Sequence, residues 1–240
     1  IRGDDPYNVI IEGNRIGVGA DGVTPLGNGG TVAANGDCGV KLLLNLDIAE
    51  NRIGGTDPGS GNVIANNASC GVLVAGGNFA TIEGNSQYGN GAIGTDLSLD
   101  IAGDGPTEND RNGHLAGANL FQDFPILTNV VTTAGNRLYV SGTLASPNTP
   151  NHAAVRIEVF ANRAGESQGR HYLGAFDIAT DATGNGQFLD QGPFAIPVDA
   201  PAVSVTATTE NGTSEMSATL TASAFNDRIF ANSFDSDAAK

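Results

Sequence analysis

The sequence predicts an all-β protein in two parts, a short right-handed parallel β-helix followed by an antiparallel β-sandwich. Short phrases recur along the first half of the chain, and apolar residues there alternate with polar ones. Turns between the apolar segments are rich in asparagine and in glycine, of which the 240 residues contain 34. Hydrophobic residues make up 40% of the chain but aromatic residues only 6%, and Trp is absent. We therefore expect cores built mostly from aliphatic side chains.

Two recurring phrases define the predicted coil. The segment 12–17, EGNRIG, has variants at 50–55 and 83–85, and Cys38-Gly39-Val40 returns as Cys70-Gly71-Val72. Between the two Cys-Gly-Val copies lie three short apolar segments, at 40–48, 52–54 and 62–65. In the first, every second residue is apolar, which is the period of a strand with one face inward. The turns between them supply positive φ angles, so this stretch predicts one three-sided coil.

These phrases also carry a family resemblance. The strings EGNRIG, NRIGG, GNVIANN and CGV resemble a family of bacterial secreted right-handed parallel β-helix proteins, over about residues 7–105. The resemblance implies an extracellular or cell-surface protein secreted by a bacterium. Gln87 and Tyr88 stand where the family phrase continues with Ile-Gly, so the last coil is expected to be irregular.

The second half of the chain has a different texture. After a polar stretch that ends at 122–127, a segment similar to the family's link into a C-terminal domain, seven alternating segments follow. Seven short strands over this length predict an immunoglobulin-like sandwich. The predicted strands are 137–144, 154–161, 171–178, 186–189, 194–198, 202–209 and 215–221. The predicted division is a β-helix at 1–105, a linker at 106–127, a sandwich at 128–222 and a tail at 223–240.

The two cysteines occupy equivalent places in consecutive coils. Strands stacked in a sheet lie about 4.8 Å apart, and disulfide-linked Cα atoms are usually about 4.4–6.8 Å apart. A Cys38–Cys70 disulfide between adjacent coils is therefore geometrically natural and agrees with secretion. Two buried free thiols in a stacked column remain the alternative.

The charge of the chain excludes several partners. Its formal net charge is −15, from 11 basic and 26 acidic residues, and no basic stripe is present. Such a surface repels phosphate backbones, so we expect no nucleic-acid partner. No apolar run reaches the roughly 20 residues that a membrane span needs. The chain starts at Ile1 without Met or signal peptide, which indicates a processed form or a fragment.

No catalytic residue is predicted. A lyase-like site would need carboxylates beside a basic residue, and the candidates are Arg15 and Arg52, expected one above the other, with Asp47 and Asp57 nearby in sequence. An outward-facing solvated ladder explains these four better. The pair Asp96 and Asp100 is a weak candidate for two glycosidase carboxyls. The three histidines, His114, His152 and His171, have no zinc-binding spacing.

One loop contains oxygen ligands suited to calcium. Asp100, Asp104, Asn109 and Asp110 lie close together in sequence, and Ca²⁺ takes oxygen ligands of these types. Gly113 and Leu115 stand where the corresponding loop of the family carries carboxylates, which weakens the prediction. Calcium is the one cofactor that the sequence suggests.

The functional expectation is an extracellular structural or adhesive protein, with self-association or a surface polysaccharide as its partner. The first coil is expected to be open, because no capping helix precedes it, and open strand edges recruit further strands. The apolar tail 228–234 is a candidate to add to a neighbour's sheet, which predicts head-to-tail assembly. The assembly residues proposed are Ile1, Tyr7, Val9, Ile229, Phe230 and Phe234. A truncated chain, whose missing coils cover that edge, is the rival explanation, and a carbohydrate-active or carbohydrate-binding β-helix is the alternative function.

Overall fold

The computed structural model describes residues 2–4, 8–29, 37–44, 50–152 and 154–224. The protein is all-β, and a single short helical turn, Ala118–Phe121, lies among the described residues. Ten strands precede this turn. They are β1 (Arg2–Asp4), β2 (Ile10–Ile11), β3 (Arg15–Ile16), β4 (Val40–Leu44), β5 (Asn51–Gly54), β6 (Val63–Ala65), β7 (Val72–Gly76), β8 (Ala80–Glu83), β9 (Ser86–Tyr88) and β10 (Thr95–Ser98).

The first ten strands form three parallel sheets, which we call the parallel stack. Strand order is β1-β4-β7-β10 in the first sheet, β2-β5-β8 in the second and β3-β6-β9 in the third. Each successive pass of the chain therefore adds one strand to each sheet. All of these pairings are parallel and in continuous register. The three segments predicted between the Cys-Gly-Val copies correspond to β4, β5 and β6.

The interior of the parallel stack is aliphatic. Alternate residues of β4 and β7 point inward in register, and Ile11, Ile53 and Ile82 form a column across the second sheet. In the third sheet Ile16 lies beside Ile64, and Gln87 takes the next place. Strand β9 pairs with β6 in continuous register, so the irregularity expected in the last coil is absent from this strand. The buried Gln87 side chain stays in register by donating a hydrogen bond to the Thr95 hydroxyl at 3.1 Å.

The later strands form two antiparallel sheets around a separate core, which we call the antiparallel region. The strands are β11 (Ile126–Thr133), β12 (Arg137–Ala145), β13 (Val155–Asn162), β14 (His171–Ile178), β15 (Asn185–Ala195), β16 (Ala202–Thr209), β17 (Gly212–Thr213), β18 (Leu220–Thr221) and β19 (Ser223–Ala224). One sheet has the order β15-β12-β11-β19, in which only β19 pairs parallel, and the other runs β14-β13-β16 with β17 and β18 beside β16. Both sheets contribute to one hydrophobic core.

The sequence segmented this region incompletely. Strand β15 contains all of the strand predicted at 186–189 and only the first two residues of the one predicted at 194–198, because it stays paired with β12 across two register shifts. Pro193 and Gly192 interrupt the alternation and resemble a turn. Strand β11 was not predicted, and it begins inside the segment interpreted as linker. The division of the chain into the two predicted domains stays a prediction.

The two regions share a sheet. Strand β17 pairs antiparallel with β16 and parallel with β8, through Gly212 and Ala80. The second sheet of the stack thus continues into the antiparallel region. This continuity places the β16–β17 hairpin beside the last coil of the stack.

Candidate functional site

The last coil of the stack is closed by side chains from later in the chain. A parallel strand at the end of a sheet presents backbone N–H groups that need acceptors. Here side-chain oxygens take the place of the carbonyls of a further coil, at 2.8 to 3.0 Å. The donor and acceptor pairs are Ala80 N to Asn119 Oδ1, Ile82 N to Thr213 Oγ1, Gly84 N to Glu158 Oε2 and Leu97 N to Glu215 Oε1.

Asparagine side chains, most of them buried, tie the turns of the stack together. Asn14, Asn62 and Asn85 form one ladder, in which Asn62 Nδ2 donates to Asn85 Oδ1 at 2.8 Å and Asn14 Nδ2 to Asn62 Oδ1 at 3.1 Å. Part of the asparagine enrichment in the turns therefore serves to build structural ladders. They rigidify each corner because buried amides that are fully hydrogen-bonded hold one geometry.

A second amide ladder ends in the antiparallel region. Asn28, Asn67 and Asn90 stack in the same way, with Asn67 Nδ2 donating to Asn90 Oδ1 at 2.9 Å. Gln168 then occupies the next position, and its Oε1 accepts from Asn90 N at 3.0 Å. Its Nε2 donates to Asn90 O and Ala92 O. A side chain of the antiparallel region thus continues the repeat of the stack by one step.

Glu158 lies fully buried between the two regions. Its carboxylate accepts from Gly84 N and is 3.3 Å from Arg156 Nη2, and Arg156 also contacts Glu83. Burial raises the pKa of Glu158 to about 7, against the hydrogen bond from Gly84 and with a contribution from the Glu83 charge. The carboxyl therefore changes charge near neutral pH in the middle of the junction.

Glu215 is a second buried acid at the same junction. It accepts from Leu97 N at 2.9 Å and from Thr107 N at 2.8 Å. Burial raises the pKa of Glu215 to about 7 although these two bonds lower it, and nearby Asp96 raises it further. Burial also raises the pKa of Asp96 to about 6. Asp96 lies buried on β10 and Asp100 is exposed in the turn that follows, so the two do not share one environment.

The structure contains a Cys38–Cys70 disulfide, with Cα atoms 4.5 Å apart. It joins consecutive strands of the first sheet just before β4 and β7. The two sulfurs pack outside the main core of the stack with Leu43, Leu73 and Ala75. A disulfide is compatible with a secreted protein.

The four residues suggested as calcium ligands make separate contacts and do not form one group. Asp100 accepts from Ala102 N at 2.9 Å, and Asp110 accepts from Asn112 N at 2.8 Å. Asn109 both donates to Phe124 O and accepts from Phe124 N, and Asp104 lies near Asp96. Within the described ranges, no group of three or more His, Cys, Asp or Glu side chains is arranged to hold a metal ion. Asp100 and Asp110 stabilise short turns, and Asn109 is hydrogen-bonded to the backbone of Phe124.

The two arginines considered for catalysis do not stack. Arg15 is in β3 opposite Val63, whereas Arg52 is in β5 opposite Ile10. The prediction that one lies above the other is wrong, because the similar phrases around them fall on different sides of the coil. Arg52 pairs with Glu12 at 3.0 Å. Asp57 is in an exposed turn, and Asp47 lies outside the described residues.

Most of the proposed assembly residues also lie outside the described residues: Ile1, Tyr7, Ile229, Phe230 and Phe234. Val9 is described, and it packs against the core of the stack. Its N–H donates to Asn51 Oδ1 at 3.1 Å and its carbonyl accepts from Arg52 N at 2.9 Å. The backbone N–H and carbonyl of Val9 are therefore already hydrogen-bonded within the chain, and its side chain already packs on the core.

A groove of about 520 Å³ lies where the stack meets the β16–β17 hairpin. The outward column of the second sheet, Ile10, Arg52 and Thr81, lines it together with Glu50, Phe79 and Glu210. Ile10 is 59% exposed. The stack and the hairpin both contribute to this groove, and binding sites occur preferentially at such junctions.

Phe79 and Glu210 are held in place by the junction. Phe79 N donates to Asn211 O at 2.9 Å, and Phe79 O accepts from Asn51 N at 2.8 Å. Phe79 has a φ of 67°, a left-handed backbone that is rare for an aromatic residue. Glu210 is hydrogen-bonded to His152. Partial burial acts to raise the pKa of Glu210, but hydrogen bonds from its own backbone N–H and from His152 leave the pKa below its usual value.

Comparisons with known proteins give no family. The scan against family models finds no match, and the search of curated proteins finds no significant match. In the part of the chain that the structure describes, no helix has the length and apolar character to cross a membrane. Among the groove residues, Arg52 was weighed from the sequence as a lyase-like candidate. The groove itself was not predicted, because Glu210 is more than 100 positions from its neighbours there. The position of Phe79 directly before β8 and its isolation as an aromatic among turn residues are the only signals available there.

Proposed function

We propose that this chain is an extracellular structural or adhesive protein. Its parallel stack is a short right-handed parallel β-helix, and its antiparallel region is an immunoglobulin-like sandwich that closes the helix. The observation that carries the proposal is the capped last coil. Four backbone N–H groups there are paired with side chains from outside the stack, so the two regions form one stable scaffold.

The composition of the scaffold supports an extracellular location. A disulfide joins adjacent coils, and such bonds persist in oxidising compartments. The net charge of −15 favours solubility and repels nucleic acids. Buried amide ladders hold the turns in place, which limits the local openings that proteases attack. These properties suit a protein that must stay folded outside the cell.

Localisation is the direct test. We expect the protein in the medium or on the surface of the cells that produce it, accessible to a membrane-impermeant biotin reagent. A cytosolic marker protein on the same blot must remain unlabelled. Recovery of the protein only with that marker, after lysis, would contradict the extracellular proposal.

Head-to-tail assembly is the form of self-association that we propose. Light scattering and negative-stain microscopy at high protein concentration test it, with filaments as the expected result. A monodisperse monomer would end the filament proposal and leave the adhesive one in place.

A carbohydrate-active or carbohydrate-binding protein is the second candidate, and the groove between the stack and the hairpin favours it. Release of reducing ends, or of unsaturated products that absorb in the ultraviolet, distinguishes an enzyme from a binding protein. Binding without either product would keep the adhesive proposal and exclude cleavage of the polysaccharide tested.

A further inference from the structure

The groove beside the β16–β17 hairpin has the dimensions of a site for a short polymer. Its floor is the column Ile10, Arg52 and Thr81, one residue from each of three neighbouring strands. Two strand spacings span about 10 Å, which is close to the length of two linked sugar rings. Its volume of about 520 Å³ falls within the range of about 300–1,000 Å³ that is common for ligand sites.

The groove combines apolar and hydrogen-bonding surfaces. Phe79 and Ile10 are apolar, and Phe79 is not among the described residues that pack on the core of the stack. Glu50 and Glu210 bring carboxylates, which accept hydrogen bonds but do not donate them when ionised. The complementary ligand has one apolar face and several hydroxyl donors. A pyranose ring has both, since its C–H groups cluster on one face and its hydroxyls lie around its edge.

Charge selects among sugars. Glu50 and Glu210 line the groove, and Arg52, the arginine among its described lining residues, is already paired with Glu12. The chain as a whole carries −15. Uronic acid and phosphate polymers would bring further negative charge into this field and are repelled. The groove therefore suits a neutral glycan.

Two of the contact residues are fixed before any ligand binds. The Phe79 backbone is hydrogen-bonded on both sides, and Glu210 is held by His152. A site that is already ordered loses less entropy on binding, so more of the contact energy appears as affinity.

We infer that this groove binds a neutral pyranose oligosaccharide, with a sugar ring against Phe79 and hydroxyls donated to Glu50 and Glu210. The inference rests on the proposed adhesive function and names its ligand class. It requires no chemical step, and no bond of the glycan breaks.

The experiment uses calorimetric titration of the full chain with three hexasaccharides. Cellohexaose and the hexamer of N-acetylglucosamine are the neutral probes, and the hexamer of galacturonic acid is the acidic one. We expect at least one neutral hexamer to bind and the galacturonic acid hexamer to bind at least tenfold more weakly, even in low salt. Failure of both neutral hexamers to bind at millimolar concentration would overturn the inference, as would tighter binding of the acidic one.

Phe79→Gly separates binding from folding. Glycine adopts a φ of 67° more readily than phenylalanine, which offsets the larger chain entropy that glycine loses on folding, so the variant should unfold near the temperature of the parent chain. Loss of the aromatic contact should weaken the bound hexamer by about tenfold or more. A variant that folds and binds like the parent contradicts the inference. If that variant unfolds early, Phe79→Asn, which also tolerates positive φ, gives the same readout.

Glu210→Gln and Glu50→Gln test the acceptors, with Asp57→Asn as the matched control in an exposed turn outside the groove. We expect each groove variant to bind severalfold more weakly and the control to bind as the parent does. Equal affinity in all three overturns the assigned role of the carboxylates. These outcomes are independent of where the protein is found, so a failure of glycan binding is distinguishable from a failure of the extracellular proposal.

Discussion

The parallel stack and the antiparallel region differ in how their strands are completed. In the stack, each strand needs a neighbour from the coil before and the coil after, and the buried core residues are aliphatic. In the antiparallel region, some strands pair with the next strand in the chain, as β11 does with β12 and β13 with β14. Phenylalanine rings also fill part of its core, as in the Phe176–Phe188 contact at 5.1 Å. The stack therefore depends on side chains from later in the chain to complete its last coil. Substitutions that loosen one coil should accordingly lower the stability of the whole stack.

The largest effect is expected for the disulfide. Replacing Cys38 and Cys70 together by Ala should lower the free energy of unfolding by about 3–4 kcal/mol, because the bond closes a loop with a sequence separation of 32. Denaturant titration measures the change. Reductant should shift the parent chain by a similar amount and leave the double variant unchanged. An unaltered midpoint in the double variant would show that the coils hold their register without the bond.

The second largest loss of stability is expected for the ladder of Asn14, Asn62 and Asn85. Asn62→Ala removes a side chain that donates to Ile11 O and Asn85 Oδ1 and accepts from Asn14 N, so the buried Ile11 carbonyl and the Asn14 N–H lose these partners. We expect a loss of about 2–3 kcal/mol. The matched control is Asn14→Ala at the exposed end of the same ladder, for which a loss below about 1 kcal/mol is expected. Equal losses at both positions would argue that burial does not determine the strength of the ladder.

The buried acids at the junction predict a smaller, pH-dependent effect. The pKa of Glu158 rises from 4.5 to about 7 on folding, so the folded state binds the proton more tightly than the unfolded chain. Its stabilising contribution is fully present below pH 4.5 and is lost as the pH rises through 7. Glu215 acts in the same direction. The free energy of unfolding should therefore be greater at pH 5.5 than at pH 8.5, by on the order of 2 kcal/mol for each of the two acids.

Variants at these acids sharpen the comparison. Glu158→Gln should remove about half of the dependence between pH 5.5 and 8.5, and a second change, Glu215→Gln, most of the remainder. The exposed Glu108→Gln serves as the control and should keep the full dependence. A parent chain that becomes more stable toward pH 8.5 would contradict the assignment.

The sequence predicted the stack better than the region that closes it. Cys38-Gly39-Val40 and Cys70-Gly71-Val72 fall on one sheet, so their repeat revealed a coil and a disulfide geometry. The phrases around Arg15 and Arg52 are equally similar, yet they lie on different sheets, because each side of a coil uses the same turn chemistry. Phrase similarity therefore identifies a turn but not the side on which it lies.

The junction and the groove could not be predicted from the sequence, for a different reason. Their contacts join residues far apart in sequence, such as Ile82 and Thr213, and no local period marks them. Gln168 is an example, since it completes an asparagine ladder from within a loop of the antiparallel region. Strand β15 was divided in two because Gly192 and Pro193 resemble a turn, although long-range pairing with β12 keeps the strand whole.

Amide hydrogen exchange at Ile82 tests the closing of the stack most directly. This N–H is paired with the Thr213 hydroxyl and with no backbone carbonyl of a further coil. In the parent chain it should exchange as slowly as the amide of Ile53 in the middle of the same sheet. Thr213→Val keeps the shape but removes the acceptor, so exchange at Ile82 should accelerate strongly while Val159 in the antiparallel core stays protected. Exchange at Ile82 as fast as at exposed Leu115 in the parent chain, or no change in the variant, would contradict the account.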